Sequence, residues 1–206
     1  GTQLGEPWIS DGTFAGTTII ADINQDTKSA SFGFGELAGF NGRLYFAGGK
    51  TWTYEDLWVS DGTSAGTTLL ALGPEVPNGF EEANGSLFFS EELSSSRDLW
   101  RTDGTGSGSV ELRDVFESLW DLGPGIGGIM FNHESAAAGW EPWFSDGSVG
   151  GTGLFKDLNP GAGSSNPWSF TLLAGELWFF TDDGGSGLQL WKSDGTAAGT
   201  VLVKDI

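Results

Sequence analysis

At 206 residues the chain can close one all-β domain around a sizeable core, and its 35 glycines and 10 tryptophans exclude both a collagen-like chain and a disordered acidic tail. A net charge of −19, from 28 acidic against 9 basic residues, disfavours nucleic acid and anionic membrane surfaces as partners. No cysteine is present, which removes disulfide frameworks and thiolate metal sites, and no apolar run is long enough to cross a membrane. The sequence shows no signal peptide and no initiating Met; such a signal would be removed or lie outside this chain.

Taken in chain order, the sequence repeats itself. Glu6-Pro7-Trp8-Ile9-Ser10-Asp11-Gly12-Thr13 returns as Asp56-Leu57-Trp58-Val59-Ser60-Asp61-Gly62-Thr63 and as Asp98-Leu99-Trp100-Arg101-Thr102-Asp103-Gly104-Thr105. It returns twice more, as Glu141-Pro142-Trp143-Phe144-Ser145-Asp146-Gly147-Ser148 and Gln189-Leu190-Trp191-Lys192-Ser193-Asp194-Gly195-Thr196. Each copy is followed at fixed distance by Gly-Thr or Gly-Ser: Gly16-Thr17, Gly66-Thr67, Gly108-Ser109, Gly151-Thr152 and Gly199-Thr200. Between copies lie hairpin corners, Asn41-Gly42 and Asn84-Gly85, with looser versions at Gly127 and Gly175. Asn-Gly suits a type I′ turn because both central residues need positive φ. From each corner glycine to the next motif Asp is 19, 18, 19 and 19 residues, whereas from motif Asp to the next corner glycine is 31, 24, 24 and 29. One half of the repeat is fixed in length and the other absorbs insertions, such as residues 159–167.

Each repeat supplies four short strands: one before the corner, the Leu-Tyr-Phe type, the Leu-Trp type, and the type of residues 200–206. Four strands in 42–50 residues is the size of a propeller blade. The predicted fold is therefore all-β, a β-propeller or propeller fragment of about four to five blades, in a single domain over 1–206. The motif copies lie near 6–23, 56–72, 98–115, 141–158 and 189–206. Both ends fall inside a repeat, which leaves three arrangements open: part of a longer array, one short blade, or a partner chain completing the ring.

The motif Asp-Gly pairs predict turn clasps, in which Asp accepts backbone N–H bonds, Gly takes positive φ and the hydroxyls tie down the remaining polar groups. These structural turn residues are Asp11, Gly12, Asp61, Gly62, Asp103, Gly104, Asp146, Gly147, Asp194 and Gly195. Five repetitions suit structure better than catalysis, which needs a residue once per site. The in-register Trp8, Trp58, Trp100, Trp143 and Trp191 are expected to fill blade interfaces, and Trp178, in the place of Tyr45, to lie in the core.

The last copy, residues 190–206, closely resembles the bacterial ELWxxDGT repeat, and the resemblance covers essentially the whole chain. It implies a propeller-like array in secreted or surface proteins and no established biochemical activity. The sequence departs from that pattern at Gln189, where the family has an acid, and at Pro7 and Pro142, which replace its Leu; the third copy, with Gly106-Ser107-Gly108-Ser109, has drifted most. The Asp turn also loosely resembles the Asp-box of sialidase propellers, itself a structural turn.

Asp22, Asn24 and Asp26 alternate oxygen side chains as at the start of a Ca²⁺ loop, without the Gly and distant Glu of an EF-hand, which makes Ca²⁺ the candidate cofactor. Asp157-Leu158-Asn159-Pro160-Gly161 is the matching stretch of the fourth copy, and residues 182–185 form a weaker candidate that reads as a turn. Trp52, Tyr54, Trp120, Trp140 and Trp168 fall outside the repeat register and are candidate ligand or partner contacts, weighed against packing between blades. His133 reads as a solvated loop residue, no nucleophile elbow is present, and no carboxylate pair is singled out for glycoside hydrolysis.

The expected function is a non-enzymatic extracellular, cell-surface or periplasmic module for protein interaction or self-assembly, as a subunit of a larger surface complex. The alternative is a lectin-like carbohydrate binder, Ca²⁺-dependent or not; a glycosidase or lyase ranks third.

Overall fold

The computed structural model describes residues 6–23, 37–51, 54–70, 77–92, 97–113, 118–182 and 187–206. A two-stranded unit, β1 (Trp8–Ile9) and β2 (Thr18–Ile19), precedes four antiparallel blades whose strands pair in sequence order. The second blade holds β3 (Leu37–Phe40), β4 (Arg43–Thr51), β5 (Tyr54–Ser60) and β6 (Thr68–Leu69). The third holds β7 (Pro77–Ala83), β8 (Ser86–Glu92), β9 (Arg97–Thr102) and β10 (Val110–Arg113). The fourth holds β11 (Leu119–Gly125), β12 (Gly128–Ser135), β13 (Gly139–Ser145) and β14 (Thr152–Leu154). The fifth holds β15 (Trp168–Leu173), β16 (Glu176–Asp182), β17 (Leu188–Ser193) and β18 (Val201–Asp205). The described residues contain no helix, and the architecture is a β-propeller.

The first strand of each blade is the inner one, since β7, β11 and β15 neighbour one another across blade boundaries. Because successive strands are antiparallel, the first hairpin and the Asp-Gly clasp of every blade share one end of the molecule. The second hairpin and the linkers between blades share the other. Asn41-Gly42 and Asn84-Gly85 take the expected positive φ at both corner positions, and Ala174-Gly175 does the same with a non-glycine residue, while at the fourth-blade corner only Gly127 is positive.

Blade interfaces form the core. Phe40, Tyr45, Val59 and Leu70 of the second blade pack on Leu87, Phe89 and Trp100 of the third. Phe88, Leu99 and Leu112 of the third meet Leu119, Phe131 and Trp143 of the fourth, and Met130, Phe144 and Phe155 meet Phe170, Phe179 and Trp191 of the fifth. Ile23 of the first unit packs with Phe46 and Trp58 of the second blade. Thus each motif Trp from Trp58 onward joins the boundary with the preceding unit. Trp8 has no such neighbour among the described residues and is 51% exposed.

Two expectations need correction. His133 is not a loop residue: it lies on β12, buried, with Nδ1 2.8 Å from the Ser118 carbonyl oxygen and its ring edge-on to Trp143 at 4.6 Å. Period-2 alternation places it on the same face as Phe131, which turns it into the blade boundary. Trp178 does occupy the sheet position of Tyr45, opposite Lys192 as Tyr45 is opposite Val59, but it is only partly buried. In the last blade this position faces outward, and the Lys192 ammonium, paired with Glu176 at 2.7 Å, lies 5.8 Å from its ring.

Candidate functional site at the linker end

The clasps at the opposite end are five versions of one network. In each, motif Asp Oδ1 accepts the N–H of the residue two ahead at 2.8–2.9 Å and its hydroxyl at 2.7 Å. That hydroxyl in turn accepts the N–H of the later glycine, as at Gly199. These bonds, the hydroxyl's first, hold the Asp pKa values below the ordinary aspartate value. A methyl group at Gly16, Gly66, Gly108, Gly151 or Gly199 would collide with the clasp carboxylate, so the glycine of Gly-Thr is required for contact reasons. The drifted third copy keeps the network because Thr102 and Ser109 merely exchange hydroxyl types, with Ser109 Oγ donating to Thr102 Oγ1 at 2.7 Å. The clasp's polar groups are thus engaged within their own turn.

The motif acid has a role that the sequence reading did not assign. Glu6 Oε2 accepts the N–H of Ile23 at 2.8 Å, and Glu141, buried, accepts Leu158 N at 2.8 Å, Asn159 N at 3.3 Å and both N and Oγ of Ser165 at 3.0 and 2.7 Å. Burial pushes the Glu141 carboxyl up and these donors pull it back. The acid is a staple that fastens the linker leaving the outer strand, 17 residues downstream in both copies. The recurrence of an acid two residues before a Trp on the third strand was the available signal. At Gln189 the side chain turns inward instead, accepting from Thr181 Oγ1 at 3.2 Å and Trp191 Nε1 at 3.3 Å.

Three of the candidate tryptophans, Trp120, Trp140 and Trp168, lie at the linker end of β11, β13 and β15. Trp120 and Trp168 are not out of register: each lies at the start of its inner strand, seven residues before the corner glycine, and Asn78 holds the same place in the third blade. All three precede a bulge whose next residue has positive φ, at Gly79 (66°), Asp121 (55°) and Ser169 (58°). The two neighbouring bulges are bonded to each other, Ser169 N donating to Asp121 Oδ2 at 2.6 Å. Desolvation raises the Asp121 pKa, and the Ser169 N–H opposes that rise.

Trp120 is 51% exposed, and the Arg97 guanidinium from the preceding blade lies 3.5 Å from its ring centroid while donating to the Leu119 carbonyl oxygen at 3.3 Å. Trp168 packs on Phe180 at 6.1 Å and is partly buried. Trp140 works largely through its backbone: its N–H donates to Ser164 Oγ and its carbonyl accepts from Ser165 and Asn166. Tyr54 begins β5, and Trp52 lies outside the described residues.

The cation candidate is only partly within view. Asp22 is exposed, and Asn24, Asp26 and residues 183–185 lie outside the described residues. In the fourth copy the matching Asp157 Oδ2 accepts Gly161 N at 3.3 Å, closing a turn. Among the described residues no group of three or more His, Asp or Glu is placed to hold a metal ion.

No protein-family model and no curated protein matches the sequence. Solved structures do. A puromycin hydrolase mutant complexed with PGG is 15% identical over 93% of this chain and 31% of its own, with a TM-score of 0.59. A prolyl endopeptidase is 13% identical over 95% of this chain and 29% of its own, with a TM-score of 0.61. TolB from Acinetobacter baumannii is 12% identical over 80% of this chain and 41% of its own, at a TM-score of 0.49. The chain therefore spans under a third of the first two, and at such identities the likeness is one of fold alone.

Proposed function

We propose that the chain is a non-catalytic, extracellular interaction module that receives a protein partner at its linker end, around Trp120. The observation that supports this most is the Arg97–Trp120 stack. A guanidinium at 3.5 Å fixes the indole while leaving half of it exposed, and rigid Trp and Arg groups of this kind are the residues on which protein interfaces concentrate their binding energy. The clasp and staple carboxylates, by contrast, are used within the fold, Glu141 by four donors. The net charge of −19 favours a partner with a basic face. An extracellular setting rests on the resemblance of the repeats to those of secreted and surface proteins.

The test is to capture surface and secreted proteins of the host on the immobilised chain, purify what is retained and titrate it against wild type and Trp120→Ala. The reading expects at least a tenfold weaker Kd for the variant, equivalent to about 1.4 kcal/mol. Binding that ignores the substitution sinks it. Trp120 beside the Asp121 carboxylate also suits a sugar ring, stacked on the indole with a hydroxyl to the acid. A glycan array that lights up for wild type and goes dark for Trp120→Ala, with or without Ca²⁺, would replace the protein partner by carbohydrate.

A further inference from the structure

Between the fourth and fifth blades, at the clasp end, lies a groove of about 430 Å³, and a glycine of the outer strand opens it. Seven residues after the motif Asp the other copies carry Thr18, Thr68, Val110 and Val201; the fourth carries Gly153. Gly153 stands opposite Phe144 of β13, so both face the fifth blade. The Phe144 ring does not cover the gap. It leans over Gly128, where a methyl group would meet ring carbons at 2.8 and 2.9 Å, whereas nothing stands within 4 Å of a methyl group built on Gly153 or Gly150. Phe144 and Phe155, with ring centroids 6.5 Å apart, make an apolar floor, and residues 195–197 of the fifth-blade clasp make the far wall.

The groove runs along a strand edge. β14 is the outermost strand of its blade; Phe155 N donates to the Pro142 carbonyl oxygen at 2.9 Å and Asp146 N to that of Gly151 at 3.4 Å. Antiparallel pairing alternates, so in this register residues 151, 153 and 155 bond to β13, and the N–H and C=O groups of Thr152 and Leu154 point outward. Such an edge accepts an added strand unless charge or proline blocks it. Outer strand β10 carries Glu111 and Arg113, but Thr152–Leu154 carries neither charge nor proline. Charge stands beside the edge instead. The Asp146 carboxylate lies against Gly151, and the Asp194 carboxylate accepts from Thr196, both residues of the groove. Their clasps lower both pKa values, so the two acids are ionised at neutral pH. Lys156, beside Phe155, turns its ammonium onto the Thr200 carbonyl oxygen.

We propose that an extended, basic segment of a protein partner adds to the edge of β14 and sets one apolar side chain over Gly153, between Phe144 and the fifth-blade clasp. Side chains of an added strand alternate, so the residues two places to either side of the apolar one share its face. Lys or Arg there meets the Asp146 and Asp194 carboxylates, and the net charge of −19 turns an acidic segment away. Main-chain bonds to Thr152 and Leu154 supply affinity, and the gap over Gly153 selects the side chain. This surface is at the opposite end of the molecule from Trp120 and does not rest on the linker-end reading.

The test is an array of linear peptides with Phe, Leu, Ser or Glu at the centre and Lys, Gln or Glu two places to either side. The strongest binder is then titrated by fluorescence anisotropy against wild type, Gly153→Val, Gly153→Thr and Trp120→Ala. Valine and threonine are the residues of the other copies at this position, so the fold is kept, which thermal unfolding verifies. Peptides with an apolar centre and Lys flanks are expected to bind, acid-flanked ones are not, and affinity falls as salt is raised from low to physiological concentration. Filling the gap with either side chain weakens the Kd by about tenfold or more at an unchanged or higher Tm. N-methylation of alternate peptide amides, which removes the main-chain donors, abolishes binding. Trp120→Ala binds as wild type does, which keeps failure here distinct from failure of the partner site. An array with no preference for basic, apolar-centred peptides overturns the proposal. So do Gly153 variants that bind as tightly as wild type, or binding that is lost with Trp120→Ala.

Discussion

Replacing Trp143 by Ala provides a test of the blade-boundary account, with Trp8→Ala as its internal control. Trp143 retains only 6% of its surface in solvent, with Phe131 at 6.3 Å and His133 at 4.6 Å between the third and fourth blades. A buried Trp removes about 150–250 Å² from water, which at about 25 cal/mol per Å² is roughly 4–6 kcal/mol, and measured truncations of buried aromatics cost about 3–5 kcal/mol. We take about 4 kcal/mol, or roughly 8–16 °C in Tm for a domain of this size. Trp8 holds the same motif position but already has about half its surface in water, so by the same arithmetic its loss is at most about half as large. Thermal unfolding by circular dichroism in dilute solution, with urea midpoints as a second measure, gives the comparison. Equal losses at the two positions would refute the argument that a neighbouring blade, and not the local turn, gives the motif Trp its value.

Two further expectations concern the carboxylates. Glu141→Ala leaves up to four donors from Leu158, Asn159 and Ser165 without their acceptor, at about 1–3 kcal/mol for each one that water cannot reach; a Tm drop of several degrees and faster amide exchange at Leu158 and Ser165 are expected, and an unchanged Tm contradicts the staple. The five clasp aspartates have lowered pKa values, so their contribution is present above the ordinary aspartate value and lost as pH falls through the lowered folded values, below about pH 4. Tm measured from pH 5 to pH 2 should fall along that limb, and less steeply for Asp194→Asn. Glu141, with a raised pKa, acts in the opposite sense: its contribution is present below the ordinary glutamate value and lost as pH rises through the folded one.

The period, the four strands, the Asn-Gly corners and the clasps were legible because each depends on local chemistry written into a few adjacent residues. A positive φ or an Asx turn announces itself wherever Gly or Asp stands. The equivalence of Trp120 and Trp168 was hidden because the sequence between clasp and corner varies in length, so counting forward from the motif Asp puts the two out of step. Counting back from Gly127 and Gly175 gives seven residues for both. The Arg97–Trp120 stack and the Asp121–Ser169 bond join separate blades, and no local pattern encodes which side chains meet across a boundary. His133 reads as a loop residue because it lies in the polar run Asn132–Ser135 that follows Phe131, until its alternation with Phe131 is followed.

From the second blade onward the glycine of each Asp-Gly pair faces a side chain of the unit before it, so the contacts among the described residues couple each unit to its nearest neighbours. Cooperative unfolding in such a one-dimensional stack begins at the ends, where a unit loses one boundary instead of two, and moves inward. Amide exchange should therefore be slowest in β8 and β12, which have a blade on either side, and fastest in β1, β2 and β18.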